Sequence, residues 1–336
     1  MITTVLLMVY SNANEIQKES TAKKYTYVQT TCGTEKTRIK RQAKDCLLRG
    51  EYDRLTDLAK QYRNSKATLS DGSWKLISLY EGFRGRNSND WNHVLEKLEE
   101  WSKHELVDPA PIIAIGDACW GFGKQARGGG FANTVTEDGW RLLRERLAKG
   151  QSRLLAASER CRACPGFYVV MLKIGIDGSQ EREPFMQLFK QGIDLAPKFP
   201  HLYEMKSYYI LPRWYGKQGE LKEFVFTTAD RYPEVALWVL WRLQKQGVYK
   251  NIFKEERIEW DMIKVSLKRC IKPDSIGIGQ ANMLAYLSDV AGDTETCVAA
   301  LKSVDYQLDT SMWRSRKRLK QIVNKELNSD AENRAR

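Results

Sequence analysis

Three short stretches hold residues whose types and spacing suit chemistry. Cys161-Arg162-Ala163-Cys164-Pro165 carries a CxxC. Pro165 suits a first helical position, and a thiol just before a helix has its pKa lowered by the dipole. A thioredoxin-type site also needs a βαβ setting, and zinc needs two further ligands where His201 offers one. The pair therefore reads as structural cysteines. Arg127-Gly128-Gly129-Gly130-Phe131 clusters glycines whose N–H groups, with Arg127, would face an anion. Phosphate loops follow a strand and a P-loop ends in Lys-Ser/Thr, neither of which occurs here. A tight reversal between two helices fits better. Leu211-Pro212-Arg213-Trp214-Tyr215-Gly216 lies one turn beyond Tyr208 and Tyr209. Arg, Trp and Tyr are enriched at binding hot spots, and this set suits a peptide or carboxylate. The competing assignment has Trp214 plugging the groove between helix pairs and Arg213 capping carbonyls. The candidate binding residues are thus Arg127, Tyr208, Tyr209, Arg213 and Trp214.

No catalytic set emerges. The three histidines, His93, His104 and His201, are scattered, and Glu181 and Glu183 point to different sides of a helix. No metal or cofactor is implied. The 336 residues are 42% hydrophobic and 29% charged, which suits a chain that buries a core. No apolar run approaches the roughly 20 residues that span a bilayer. The net charge of +12 favours acidic partners. Basic residues gather at 36–44 (Lys36, Arg38, Lys40, Arg41, Lys44) and 314–320 (Arg314, Arg316, Lys317, Arg318, Lys320). Both groups read as solvated helix faces, with an anion-binding surface as the alternative. Nucleic acid is disfavoured, because no recognition motif accompanies the charge.

The elements that must position these residues are helical. Trp91, Val94, Leu95, Leu98 and Trp101 recur in steps of three and four, with Asn89 or Asp90 as the cap. A second helix is expected from Glu137 to Ser158. A third, Pro233 to Leu243, is apolar on all sides and must be surrounded. No stretch alternates with period two, so no sheet is expected. Glycine followed by an acid marks helix joints at Gly50-Glu51, Gly219-Glu220 and Gly292-Asp293. Lys198-Phe199-Pro200 and Arg231-Tyr232-Pro233 mark two more. A period of roughly 33–36 residues, two helices per unit, is that of a degenerate tetratricopeptide-like array. The fold class is therefore an all-α helix-pair solenoid of tetratricopeptide or Sel1-like type, with about seven pairs, each needing its neighbours to bury its apolar face.

Ser70-Asp71-Gly72-Ser73-Trp74-Lys75-Leu76, Arg127-Gly128-Gly129-Gly130-Phe131-Ala132 and Leu211-Pro212-Arg213-Trp214-Tyr215-Gly216 also carry a family resemblance. In order and spacing they resemble a bacterial family of helical proteins known as a domain of unknown function, over roughly residues 46–232. The resemblance implies a tetratricopeptide-type fold and no activity.

Residues Thr4 to Tyr10 are apolar and lead into Ser11-Asn12-Ala13, which resembles the back half of a secretory signal without the basic residues that would precede it. This points to the periplasm or export. The seven cysteines, at irregular spacing, favour the alternative, a reducing cytoplasm. The expected organisation is a leader over 1–30, a helical repeat array over 31–305 and a basic capping helix with tail over 306–336. The last helix is expected near 306–327, with Met312, Leu319, Ile322 and Val323 on its buried face. The function this predicts is a non-catalytic scaffold for a protein or peptide partner, since such arrays offer an extended concave surface. The alternative is an enzyme or enzyme subunit acting on an anionic substrate near Arg127 and Arg213.

Overall fold

The computed structural model describes residues 25–270 and 277–335. The signal-like run, with the rest of residues 1–24, lies outside the described residues. Within them the chain is all-α. Seventeen helices follow one another: α1 (Cys32–Leu48), α2 (Tyr52–Ser65), α3 (Lys75–Tyr80), α4 (Ser88–His104), α5 (Ala110–Arg127), α6 (Glu137–Ala156), α7 (Ser158–Cys161), α8 (Pro165–Asp177) and α9 (Arg182–Leu195). Then come α10 (Pro200–Tyr209), α11 (Glu220–Arg231), α12 (Pro233–Lys245), α13 (Ile252–Glu255), α14 (Trp260–Lys268), α15 (Ile278–Ala291), α16 (Thr294–Lys302) and α17 (Arg316–Ala335).

Local chemistry sets most boundaries. Thr136 Oγ1 accepts from Gly139 N at 3.1 Å and starts α6. The cap of α4 is Asn87, which accepts from Asp90 N at 3.0 Å, two residues ahead of the expected Asn89. Gly292 ends α15 with φ +86°, a left-handed conformation that costs glycine little. Asp293 then accepts from Thr296 N at 2.9 Å and opens α16. Pro200 and Pro233 each stand at the first position of their helix, as the two aromatic-proline joints require.

Helices buried on nearly every side alternate with helices buried along one face. Twelve of the thirteen residues of α8 are buried, and α5, α10, α12 and α15 are similarly enclosed. By contrast α4, α6, α9, α11 and α14 bury a stripe and expose the rest. The enclosed helices are neighbours in serial order: α5 packs on α8, α8 on α10, α10 on α12 and α12 on α15. Each also carries a striped partner, α4 and α6 on α5, α9 on α8 and α10, α11 on α12.

The beginning of the described chain meets its end. Two-residue strands β1 (Thr26–Tyr27) and β2 (Gln307–Leu308) pair in parallel, and Cys32 N donates to Asp309 Oδ2 at 3.1 Å. A ladder this short leaves no periodicity in the sequence, which explains why no strand was expected. It also corrects the last helix. Residues 306–313 are not its first turns: β2 and a 3₁₀ turn, Thr310–Met312, capped by Asp309, intervene, and α17 starts at Arg316. Met312 is buried with its carbonyl accepting from Trp241 Nε1 at 2.8 Å, so it packs from a different element than Leu319 and Val323. No helix among the described residues is long and apolar enough to cross a membrane.

Candidate functional site

A cavity of about 290 Å³ opens where α10 and the C-terminal halves of α5, α8 and α12 converge on Glu81, the residue after α3. Its wall is built from charges set within four largely apolar helices. Lys173 sits in Gly166–Asp177 among apolar neighbours, Glu204 in α10 and Arg242 in α12. An isolated charge in an enclosed helix is costly unless it is paired, and each of these is. Arg242 Nε donates to Glu204 Oε1 at 2.8 Å. Lys173 Nζ donates to Asp117 Oδ1 at 2.9 Å, and Arg84 Nη2 holds the other oxygen at 2.5 Å. Asp177 accepts from Trp120 Nε1 and from Lys124 Nζ, both at 2.7 Å. Glu81 faces Lys40 Nζ at 2.7 Å and Lys36 Nζ at 3.7 Å. Trp120 lies under both Lys173 and Arg84, 4.7 and 5.4 Å from its ring centre, and ties two of these pairs together. The Gln246 amide, with its oxygen toward Arg242 and its nitrogen toward the Tyr208 hydroxyl, extends the Glu204 pair to the cavity rim.

His201 is the exception in this wall. It is 5% exposed and lines the cavity, yet its Nδ1 has no hydrogen-bond partner among the described residues. Its ring is wedged against Phe199 and Trp238, centroids 5.4 and 5.0 Å away. Burial, helped by the charges of Lys36, Arg242 and Lys173, holds the imidazole well below its ordinary pKa. Burial would raise the Glu81 carboxyl, but Lys36, Lys40 and Lys173 outweigh it and hold it well below the usual range. Burial raises the Tyr208 hydroxyl, with Glu204 adding to the effect. At neutral pH these three groups are therefore a carboxylate, a neutral imidazole and a protonated phenol.

The five candidate residues from the sequence part company. Tyr208 and Trp214 line this cavity, Trp214 at its mouth with 40% of its surface exposed. Arg213 is exposed and makes no ion pair or hydrogen bond among the described residues. Tyr209 is turned away: it is 1% exposed, stacks on Phe185 at 3.8 Å, and its hydroxyl donates to Gln180 O at 2.9 Å. It packs rather than binds. Arg127 is spent on its own turn, donating to the carbonyls of Gly128 and Gly130 and lying 5.1 Å over Trp140. Gly128 takes φ +76°, so the glycine cluster makes a reversal after α5.

The CxxC carries no activated thiol, in keeping with its reading as structural cysteines. Cys164 does stand at the start of α8, but burial pushes its thiol up, and Cys161 is pushed up to about 11 by the same cause. Desolvation of a thiolate outweighs a helix dipole here. Both thiols are free and buried, and Cys164 Sγ lies 3.8 Å from the Tyr80 hydroxyl. The first basic cluster is corrected. Lys36, Lys40 and Lys44, spaced by four, form an inward stripe on Glu81 and Asp90, while Arg38 and Arg41 face outward. Sequence reasoning missed Glu81, Lys173, His201, Glu204 and Arg242. The available signal was a charge with an apolar residue on either side, as at Lys173, Glu204 and Arg242, which calls for a partner from another helix.

No group of three or more His, Cys, Asp or Glu residues among the described ones is placed to hold a metal ion. No family model, curated protein or solved structure matches the chain.

Proposed function

We propose that this chain is a non-catalytic binding module, a scaffold that holds a protein or peptide partner and takes one polar group of it into the cavity at His201. The observation that carries this reading is the wall itself. Its carboxylates are already paired with cations, and one polar atom, His201 Nδ1, is left without a partner. Paired charges fix donors and acceptors in space, which suits recognition. Glu81 and His201 are each held far from titration at neutral pH, so neither is poised for proton transfer there. We further infer that the helices form a degenerate tetratricopeptide-like array whose two ends are drawn together. The serial neighbours among the enclosed helices, the paired proline joints and the β1–β2 contact support it.

The enzyme reading rests on the convergence of Glu81, Asp177 and Glu204 on one cavity. It no longer rests on Arg127 and Arg213, which do not line it. A photo-crosslinking amino acid at position 214, in the full chain expressed in its host, separates the two. The binding reading expects a discrete crosslinked partner that is lost when Arg242→Ala is added. A control probe at the exposed Phe131 should not capture it. Equal capture at both positions would overturn the reading.

A further inference from the structure

Away from the cavity, a groove of about 350 Å³ runs between α9, α10 and α11. Its walls are rings: Phe189, Tyr203, Phe224 and Tyr232. Lys206 reaches into it from α10, and its Nζ stands 4.6 Å from the ring centres of both Phe189 and Phe224. No carboxylate, carbonyl or hydroxyl of the described residues accepts from this ammonium. Arg231, exposed at the same groove, lies over Tyr232 at 5.4 Å and likewise has no acceptor. Nearby acids are otherwise engaged. Asp194 accepts from Lys190 at 2.8 Å, and Glu220 is bound by Arg182 and by Lys217 N. Three of the groove's four hydroxyls are also satisfied: Tyr203 donates to Pro197 O at 2.7 Å, Thr227 to Glu223 O at 2.9 Å and Thr228 to Phe224 O at 2.7 Å.

An aromatic pair attracts a cation but leaves the ammonium's three N–H donors without acceptors. We propose that this groove docks an acidic peptide segment, with Lys206 and Arg231 each receiving a carboxylate and an apolar side chain lying between the rings. Charge complementarity selects this occupant: the two cations have no acceptor, while Asp194 and Glu220 already face Lys190 and Arg182. Burial lowers the Lys206 amine and outweighs the opposing pull of Glu220, which Arg182 already holds. The site shares no residue with the His201 cavity, so it stands or falls separately from the function proposed above.

The test uses the full chain and two probes, Ac-Glu-Leu-Glu-NH2 and its neutral counterpart Ac-Gln-Leu-Gln-NH2. Binding is followed by calorimetry, and occupancy by the rate at which an amine-reactive acylating reagent labels Lys206, read by mass spectrometry. The acidic probe should bind at least tenfold more tightly, protect Lys206 from labelling, and weaken as salt rises. Lys206→Met, which keeps the apolar stem, should remove the preference, and Lys206→Arg should retain it. Arg231→Gln, at an exposed position that folding does not depend on, should weaken the acidic probe in the same direction. Equal affinity for both probes, no binding of either, or unchanged labelling of Lys206 would overturn the proposal.

Discussion

His201 shows what burial does to one titratable group. Its folded pKa lies well below the ordinary value near 6.5, so below that pH the unfolded chain binds a proton that the folded chain does not. Stability contributed by the neutral ring is present above about pH 6.5 and is lost as pH falls toward the folded value, at about 1.4 kcal/mol per unit. Urea unfolding at pH 7, 6 and 5 should show this slope, and His201→Phe should flatten it over that range. Glu81 acts in a lower window. Its depressed carboxyl adds stability above the unfolded value near 4.5, which is lost as pH falls through the folded one. At Asp117, burial is outweighed by Arg84 and Lys173, which hold the carboxyl ionised below its usual range. Asp117→Asn would leave two cations sharing no anion in a dry wall, a loss of about 3–5 kcal/mol in the unfolding free energy. A loss under 1 kcal/mol would show that water already screens the pair.

Between helices, contact depends on small residues as much as on large ones. α5 and α6 pack along most of their length, and Gly150 of α6 sits against Gly116 of α5. A Cβ at 150 would lie 2.9 Å from Cys119 Cβ and 3.2 Å from the Gly116 carbonyl oxygen. Alanine is the better helix former by about 1 kcal/mol. Gly150→Ala should nevertheless lower stability by about 1–3 kcal/mol, because overpacking forces the helices apart; a gain in melting temperature would mean the crossing is looser than it is drawn here. The helices themselves were legible. Stripes at steps of three and four, glycine-acid joints and aromatic-proline starts each act within one turn, so they survive any tertiary context. The ends were less so: Asn87 rather than Asn89 caps α4 because the side chain must reach a free N–H three residues on.

At the level of the whole chain, closure rests on few bonds. Asp309, 1% exposed, accepts from Cys32 N at 3.1 Å, from Ser311 N at 2.9 Å and from Ser311 Oγ at 2.6 Å. Asp309→Ala leaves the buried Cys32 N–H without a partner, at about 1–3 kcal/mol at most, and frees the half-buried Ser311 donors. Hydrogen exchange should then quicken at 26–32 and 307–313 while α8 and α10 keep their protection. Uniform loss of protection would instead mean that the ends and the middle unfold as one unit. The amino-acid sequence by itself determined that the chain is helical, where its joints fall, and that α12 had to be surrounded, because periodicity and capping are local. It did not determine which lone charges would meet. Glu204 and Arg242 lie 38 residues apart, and Lys173 and Asp117 lie 56 apart. Such pairs depend on the accumulated crossing angles of every helix between them, and only the tertiary structure could bring them to one wall.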